Sequence, residues 1–292
     1  MKIGRKLTAI LLSALLLLAP VSTLADTAGF TCYGNDLTSE QYQMVLDLLG
    51  SDYANDTFLP VTIEDERALL GHVVDADKIG SRSLSSARIT LLDEGSGISV
   101  ETHNINWVTP SMYSSALITA GVQNAKVVVA APVEVSGTAA LAGILKAYET
   151  ASSEEISDLA RNIAGSEMVL TGELYDAIGS EEAVELLAMV KQAIADYDLD
   201  DYDTLRPYVE QGAYQLGVQL TEEQIDQVTN LGVKFAQLDF DPQQLSQQLN
   251  GIVNDLQKIR LAQEKTLSAL DRIIDMLKKF LDWLNYFIDK HF

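Results

Sequence analysis

The chain has 292 residues, 47% of them hydrophobic, and a formal net charge of −22. The apolar fraction argues against a disordered chain, and 42 acidic against 20 basic residues argue against a nucleic-acid-binding protein, which needs a basic face. A single cysteine excludes an internal disulfide framework and a cysteine-rich zinc module.

The first 25 residues have the pattern of a secretory signal peptide. A basic segment that contains Lys2 precedes an apolar run at 7–19, and small residues lead to a cleavage site between Ala25 and Asp26. The alternative is an uncleaved N-terminal anchor. Cleavage would remove three basic residues and no acidic ones, so the net charge would fall from −22 to −25. We therefore expect a secreted, extracellular protein.

Two helices are predicted directly after this segment. Thr38 and Gln41 form a capping box, and the apolar residues that follow at helical spacing end at Gly50. A second helix is predicted to begin after Thr62, because acidic residues fill its first turn.

Strand patterns come next. Alternating runs at 87–92 and 98–102 flank a polar loop with two glycines, which predicts a β-hairpin. A third short strand is predicted at 104–108, followed by a helix with Pro110 at its first position. The unbroken apolar run at 126–131 is typical of a strand covered on both faces. Strand, helix and strand in this order predict a βαβ unit.

From about residue 150 to the end, almost all patterns are helical. Ser152 with Glu155, and Thr221 with Gln224, have the spacing of further capping boxes. Residues 149–226 hold 19 acidic and 3 basic residues, so this part should present a strongly acidic surface.

The last helix is predicted from about 242 to 289. Its apolar positions form a heptad seam of coiled-coil type with one stutter near Gln263. These positions are Leu245, Leu249, Ile252, Leu256, Ile259, Leu267, Leu270, Ile274, Leu277, Leu281, Leu284 and Ile288. A helix of this length is about 70 Å long at 1.5 Å per residue, so part of it should project or pair with another copy.

Several segments also resemble a known family. They are the residues at 34–41, 97–102, 104–110, 116–122, 135–141, 146–149 and 220–224. The central block, with Gly-Ile-Ser-Val-Glu-Thr at 97–102 and Asn-Ile-Asn-Trp-Val-Thr-Pro at 104–110, resembles the YpuA-like family, exported proteins of Gram-positive bacteria with a domain of unknown function. The resemblance implies export, a Gram-positive source and a link to the cell envelope. It implies no catalytic residues.

Together these patterns predict an α+β protein. We expect a signal peptide at 1–25, an N-terminal α/β domain at 26–150 and an acidic helical domain at 151–240, followed by a long amphipathic helix at 241–292. The α/β domain should contain a small mixed sheet built from the hairpin and the βαβ unit.

The loop after the predicted central strand is the first candidate site. Ser136, Gly137 and Thr138 lie between this strand and a helix, where open α/β sheets tend to bind ligands. Free backbone N–H groups at the helix start would bind an anion. The simpler interpretation, which we favour, is that Ser136 or Thr138 caps the helix.

The same serine supports an enzymatic alternative. Ser136 would be the nucleophile of a secreted hydrolase or protease, with Lys191 or a histidine such as His103 as its base. The three histidines are scattered and have no metal-binding spacing. The sequence favours a non-enzymatic protein over this alternative.

The acidic run at 196–203 invites a Ca²⁺ hypothesis. Asp196, Asp198 and Asp200 match the first ligand positions of an EF-hand loop, but Asp201 stands where the loop requires glycine. We favour a solvated linker and expect no cofactor; weak binding of Ca²⁺ is the alternative.

The C-terminal segment is dense in aromatic residues, among them Phe280, Trp283 and Phe287. This interaction surface would dock on the protein's own core, self-associate, bind an envelope protein or contact a membrane surface peripherally. Cys32 is interpreted as an incidental free thiol, with an intermolecular disulfide as the alternative. The function that the sequence favours is a non-enzymatic binding or scaffold protein of the cell envelope.

Overall fold

The computed structural model describes residues 28–73 and 81–291 and, from residue 267 onward, only some of the side chains. The predicted signal peptide and its cleavage site between Ala25 and Asp26 lie outside the described residues. The described chain contains five strands, namely β1 (Phe30–Gly34), β2 (Thr57–Val61), β3 (Ser86–Leu91), β4 (Ile98–Ile105) and β5 (Ala125–Val135). It contains nine helices, namely α1 (Ser39–Leu49), α2 (Ile63–Leu70), α3 (Pro110–Thr119), α4 (Thr138–Ser152), α5 (Asp158–Ile178), α6 (Ser180–Tyr197), α7 (Tyr202–Leu216), α8 (Glu222–Phe235) and α9 (Pro242–His291).

The five strands form one mixed sheet in the order β2-β1-β3-β5-β4. Only β3 runs antiparallel to its neighbours, so the other four strands all end at the same edge. The predicted α+β class with a mixed N-terminal sheet is confirmed. The predicted βαβ unit is also confirmed as β4, α3 and β5, because β4 pairs with β5 in parallel.

The predicted β-hairpin is wrong, because β5 lies between β3 and β4. Leu91 of β3 is opposite Ala125 of β5, and Ile98 of β4 is opposite the same residue on its other side. The separate strand expected at 104–108 is also absent from the described sheet. Its first residues continue β4 past a register shift at His103, where Asn104 adopts a positive φ of 58°.

The central position of β5 explains its unbroken apolar sequence. Val128 and Ala130 face α1, whose Val45, Leu46 and Leu49 cover that side of the sheet. Val127 and Val129 belong to the main core on the opposite side, which is covered by α3 and α4. Both faces are therefore buried, as the run at 126–131 predicted.

Strands β1 and β2 were not among the predicted elements. Pro60 lies inside β2, which argues against a strand unless the strand is at an edge of the sheet. The structure provides that edge, because β2 pairs with β1 alone.

Most predicted helix starts are confirmed. Thr38 and Thr221 form capping boxes with the third residue of α1 and α8, and Thr62 does so with Asp65 at the start of α2. The capping box predicted at Ser152 is wrong, because α4 continues through that residue. Helix α5 is instead capped by Ser157, whose hydroxyl accepts from the N–H of Ala160.

The helices after α4 pack as a second layer over α3, and one hydrophobic core extends from the sheet through this layer to the start of α9. Leu245, Leu249, Ile252 and Leu256 of α9 are buried in this core. These are the first four seam positions of the predicted heptads, so the early part of α9 docks on its own protein.

Candidate functional site

The loop from Ser136 to Thr138 connects β5 to α4 above the shared edge where the parallel strands end. Ser136 is anchored by its backbone, whose carbonyl accepts from the N–H of Val108 at 3.0 Å. Gly137 adopts a φ of 94°, and its carbonyl accepts from the hydroxyl of Tyr113 at 2.5 Å. A Cβ at this position would lie 2.5 Å from that hydroxyl and 2.6 Å from Ile105, so the loop requires glycine.

The predicted capping by Ser136 or Thr138 is wrong. Gly137 is the N-cap of α4, and among the described residues no side chain makes a capping hydrogen bond there. The hydroxyl of Ser136 is exposed and lies 3.2 Å from the hydroxyl of Thr138. Thr138 in turn donates to Oε1 of Glu66 at 2.5 Å. Glu66 belongs to α2 and was not identified from the sequence.

Glu66 changes the electrostatics of this loop. Its side chain is buried, and this burial raises its pKa, while the hydrogen bond from Thr138 opposes the rise. The positive end of the helix dipole of α4 favours a negative group at this place. A carboxyl group of the protein itself therefore lies beside the loop for which an external anion was the alternative interpretation.

Lys191 is not hydrogen-bonded to Ser136 but belongs to a separate buried cluster. Its Nζ donates to Oε1 of Glu167 at 2.6 Å and to the side-chain and backbone oxygens of Ser115 at 3.1 and 3.2 Å. Ser115 also donates to Oε1 of Glu167 at 2.5 Å, and Thr119 donates to Oε2. The cluster joins α3, which packs on the sheet, to α5 and α6 of the helical layer.

This cluster contains a serine and a lysine, as a serine–lysine catalytic pair does, but it is not accessible to a substrate. Lys191 is 3% exposed, and Ser115, Thr119 and Glu167 are buried to a similar degree. Burial lowers the pKa of Lys191, and the Glu167 carboxylate opposes that shift. The ring of Phe235 lies 5.5 Å from the ammonium group. A substrate cannot contact Ser115 in this packing, so we interpret the cluster as a buried ion pair between two layers.

A histidine is not paired with Ser136 either. Nε2 of His103 lies 3.2 Å from a carboxylate oxygen of Glu101, its neighbour in β4. Within the described part of the chain, the only side-chain hydrogen bond of Ser136 is the one with Thr138. The geometry thus places neither predicted base at the predicted nucleophile.

The three aspartates considered for Ca²⁺ lie at the junction of α6 and α7. Asp196 accepts from Gln192 within α6, and Asp198 ends that helix in the left-handed conformation. Asp201 caps α7 by accepting from the N–H of Thr204. Among residues 28–73 and 81–291, no group of three or more metal-binding side chains is arranged to hold an ion. Asp200 lies between these two helix ends.

Cys32 is buried in β1, where its thiol donates to the carbonyl of Gly143 at 2.9 Å. Burial raises the pKa of this thiol to about 12. An intermolecular disulfide would require this strand to open, so the structure disfavours that alternative.

Leu256 is buried in the core, and the next turns of α9 contact α6 through polar side chains. Arg260 forms ion pairs with Glu185 at 2.5 Å and Glu182 at 3.6 Å, and Gln263 donates a hydrogen bond to Glu181. From Leu261 to Lys278 every described side chain is exposed. The side chains of Phe280, Trp283 and Phe287 lie outside the described residues. We call residues 264–291 the arm; it is about 42 Å long at 1.5 Å per residue.

The fold defines an α+β protein with a mixed five-stranded sheet, a helical layer and a projecting terminal helix. The family described as "Protein of unknown function (DUF1002)" matches residues 33–252, which are three quarters of the chain, and the protein belongs to this family. The chain is 40% identical over 267 residues to YpuA, an uncharacterised protein of Bacillus subtilis (strain 168), and the match covers 90% of this chain and 91% of the relative. No solved structure matches.

Proposed function

We propose that the protein is an exported, non-enzymatic scaffold protein of the cell envelope that self-associates through the arm. The observation that carries this proposal is the exposed apolar seam of α9 beyond the body. Leu270 and Ile274 are 48% and 47% exposed although they belong to the heptad seam that resumes after the stutter near Gln263. A helix with such a seam in water is stabilised by pairing with another helix.

A second copy of the chain fits this seam. From 267 to 288 the apolar residues recur at alternating steps of three and four, which is the spacing of a coiled coil over three heptads. Leucine or isoleucine occupies every seam position from 267 to 288, so two identical arms are complementary. The net charge of −25 that remains after signal cleavage opposes close approach of two bodies, whereas a 42 Å arm lets the apolar segments pair at a distance from them.

Two further observations support the non-enzymatic part. The exposed Ser136 is not paired with Lys191 or His103, and the buried Ser115 cannot contact a substrate. Export is supported by the pattern at 1–25. Among the described residues, no helix combines the length and the apolar character that crossing a membrane requires.

The test is the oligomeric state of the full chain, measured by light scattering on a sizing column. We expect an oligomer for the wild type and a monomer for the Leu270→Glu/Ile274→Glu variant. Met276→Glu is the matched control, because Met276 is 61% exposed but lies off the seam and should leave the oligomer intact. A monomeric wild type at micromolar concentration, or an equal effect of the control, would contradict self-association.

Export and membrane contact are tested separately. Mass spectrometry of the protein from the culture medium and the envelope fraction should give the mass of a chain that begins at Asp26. Flotation with anionic lipid vesicles tests the membrane alternative, which requires vesicle binding that is lost when residues 278–292 are deleted.

A further inference from the structure

An open groove runs along the N-terminal half of β4, which is one of the two edge strands of the sheet. Its volume is about 630 Å³. Residues 98–100 of β4 form one wall, residues 247–259 of α9 form the other, and the start of α3 forms the floor. Helix α9 packs on α3 and α6 and leaves this space open beside the strand.

The backbone of β4 offers free hydrogen-bonding groups beside this groove. The N–H of Ala125 in β5 donates to the carbonyl of Gly97 at 3.0 Å, and Ile98 is opposite Ala125 in the register. In a parallel ladder alternate residues bond to the neighbour, so Ser99 also turns its N–H and carbonyl toward β5. Ile98 and Val100 therefore turn theirs to the open edge, where the described sheet has no further strand.

Gly251 is an independent sign that the groove is kept open. The other helical glycines from α4 to α8 all lie against a neighbouring element, where a Cβ would come within 3.0 Å of another atom. Gly251 lies inside α9 and lines the groove, but a Cβ at this position would meet nothing within 4 Å. Glycine weakens a helix interior, and packing of the described chain does not require it here. Its absent side chain leaves room for a ligand.

The walls of the groove have no net charge, although the protein as a whole is strongly acidic. Hydroxyl and carboxamide groups line it, together with the apolar side chains of Val100 and Ile252. The charged residues of the lining are Asp255 and Lys258, which pair with each other at 2.7 Å. An uncharged chain with some apolar side chains matches this surface better than an ion or an acidic segment.

The other edge of the sheet lacks these properties. Strand β2 contains Pro60, which has no N–H to offer, and the Pro60 carbonyl accepts from Nζ of Lys146 at 2.9 Å. Proline and lysine are the residues that protect an edge strand from pairing. Residues 98–100 of β4 lack this protection, so this edge is able to pair with another strand.

We propose that the groove binds an extended, uncharged peptide segment of a partner protein, which adds to β4 as a sixth strand. A row of alternating N–H and carbonyl groups is complementary to another extended polypeptide backbone. This inference goes beyond the proposed function, because it assigns a second binding surface on the body and does not depend on the arm.

The probe is a synthetic pool of hexapeptides in which Val or Ile alternates with Ser, Thr or Gln and both ends are blocked. The full chain is immobilised, bound members are identified by mass spectrometry, and the tightest one is titrated by fluorescence anisotropy. Gly251→Trp places a large side chain at a groove-lining position whose Cβ would meet nothing within 4 Å, and Gly251→Ala is the matched control. Val100→Pro removes one N–H from the open edge, where proline is compatible with a strand.

We expect Gly251→Trp to weaken binding at least tenfold and Gly251→Ala by less than threefold, with thermal unfolding confirming that both variants fold. Val100→Pro should weaken binding at least fivefold, and N-methylation of alternate amides of the peptide should abolish it. The proposal is overturned if no member of the pool binds the wild type or if Gly251→Trp binds within twofold of it. It is also overturned if N-methylation has no effect, or if the neutral glycan chitohexaose binds in place of the peptides.

Discussion

Replacing Glu167 or Lys191 alone should destabilise the protein strongly, because each would leave the other charge buried. In Lys191→Met, Glu167 keeps the hydroxyls of Ser115 and Thr119 but loses its counter-ion. In Glu167→Gln, Lys191 keeps the two oxygens of Ser115 but loses its carboxylate. Breaking a buried pair from one side costs about 3–5 kcal/mol, so each variant should lose that much free energy of unfolding.

The double variant should be far less affected than the sum of the two. In Glu167→Gln/Lys191→Met both charges are gone, and the amide of residue 167 offers an acceptor to Ser115 and a donor to Thr119. Replacing a buried ion pair by neutral groups of similar volume is often neutral. We therefore expect a loss below about 2 kcal/mol, whereas the two single losses sum to about 6–10 kcal/mol.

Urea unfolding followed by circular dichroism measures these changes as shifts of the midpoint at constant slope. Lys258→Met is the control, because Lys258 pairs with Asp255 on an exposed surface and its loss should change stability by less than about 1 kcal/mol. Additive effects in the double variant, or single losses no larger than the control, would refute a coupled buried pair.

Three further predictions follow from individual residues. Gly251→Ala should stabilise the protein by about 1 kcal/mol in thermal unfolding, because the added methyl group contacts nothing and alanine favours the helix. Gly137→Ala should destabilise it by about 1–3 kcal/mol, since the positive φ and the contact with Tyr113 both oppose a Cβ, and a neutral result would contradict the loop geometry. The Cys32 thiol should not react with a thiol reagent at pH 8 until urea unfolds the chain. Folding raises the pKa of this thiol from 9.0 to about 12. The protonated thiol therefore contributes its full stabilisation below pH 9, and this stabilisation is lost as the pH rises toward 12. Unfolding midpoints measured at pH 8 and pH 10.5 would test this.

Local sequence signals predicted the parts of the fold that depend on local contacts. Thr38 and Thr221 were identified as caps because a capping box is formed within four residues. The run at 126–131 indicated a strand buried on both faces, and the structure has α1 on one face and α3 and α4 on the other. The arrangement of β3, β4 and β5 was only half predicted. Two strands joined by a short polar loop favour a hairpin. In the structure β5, which comes later in the chain, lies between β3 and β4 and pairs with both.

The buried pair of Lys191 and Glu167 is predictable from the sequence by the positions of the two residues on their helices. Lys191 stands at helical spacing with Val184, Leu187 and Ile194, so it occupies the apolar stripe of α6. Glu167 stands in the same way on the stripe of α5, between Ile163 and Leu170. Two opposite charges on the buried stripes of adjacent helices predict a pair between them. Their partner Ser115 comes from α3, and no local pattern places that helix beside them.

The division between body and arm connects the two proposed surfaces to the family. The family match ends at residue 252, one helical turn before Leu256, the last buried residue among the described side chains of α9. The matched region therefore includes β4, α3 and the first turns of α9, which form most of the groove, whereas the arm lies beyond it. If both proposals hold, the groove is a property that other members of the family can share, and the arm determines how copies of this chain assemble. The two are experimentally separable, because Leu270→Glu/Ile274→Glu lies outside the groove and should leave peptide binding unchanged while it disrupts the oligomer.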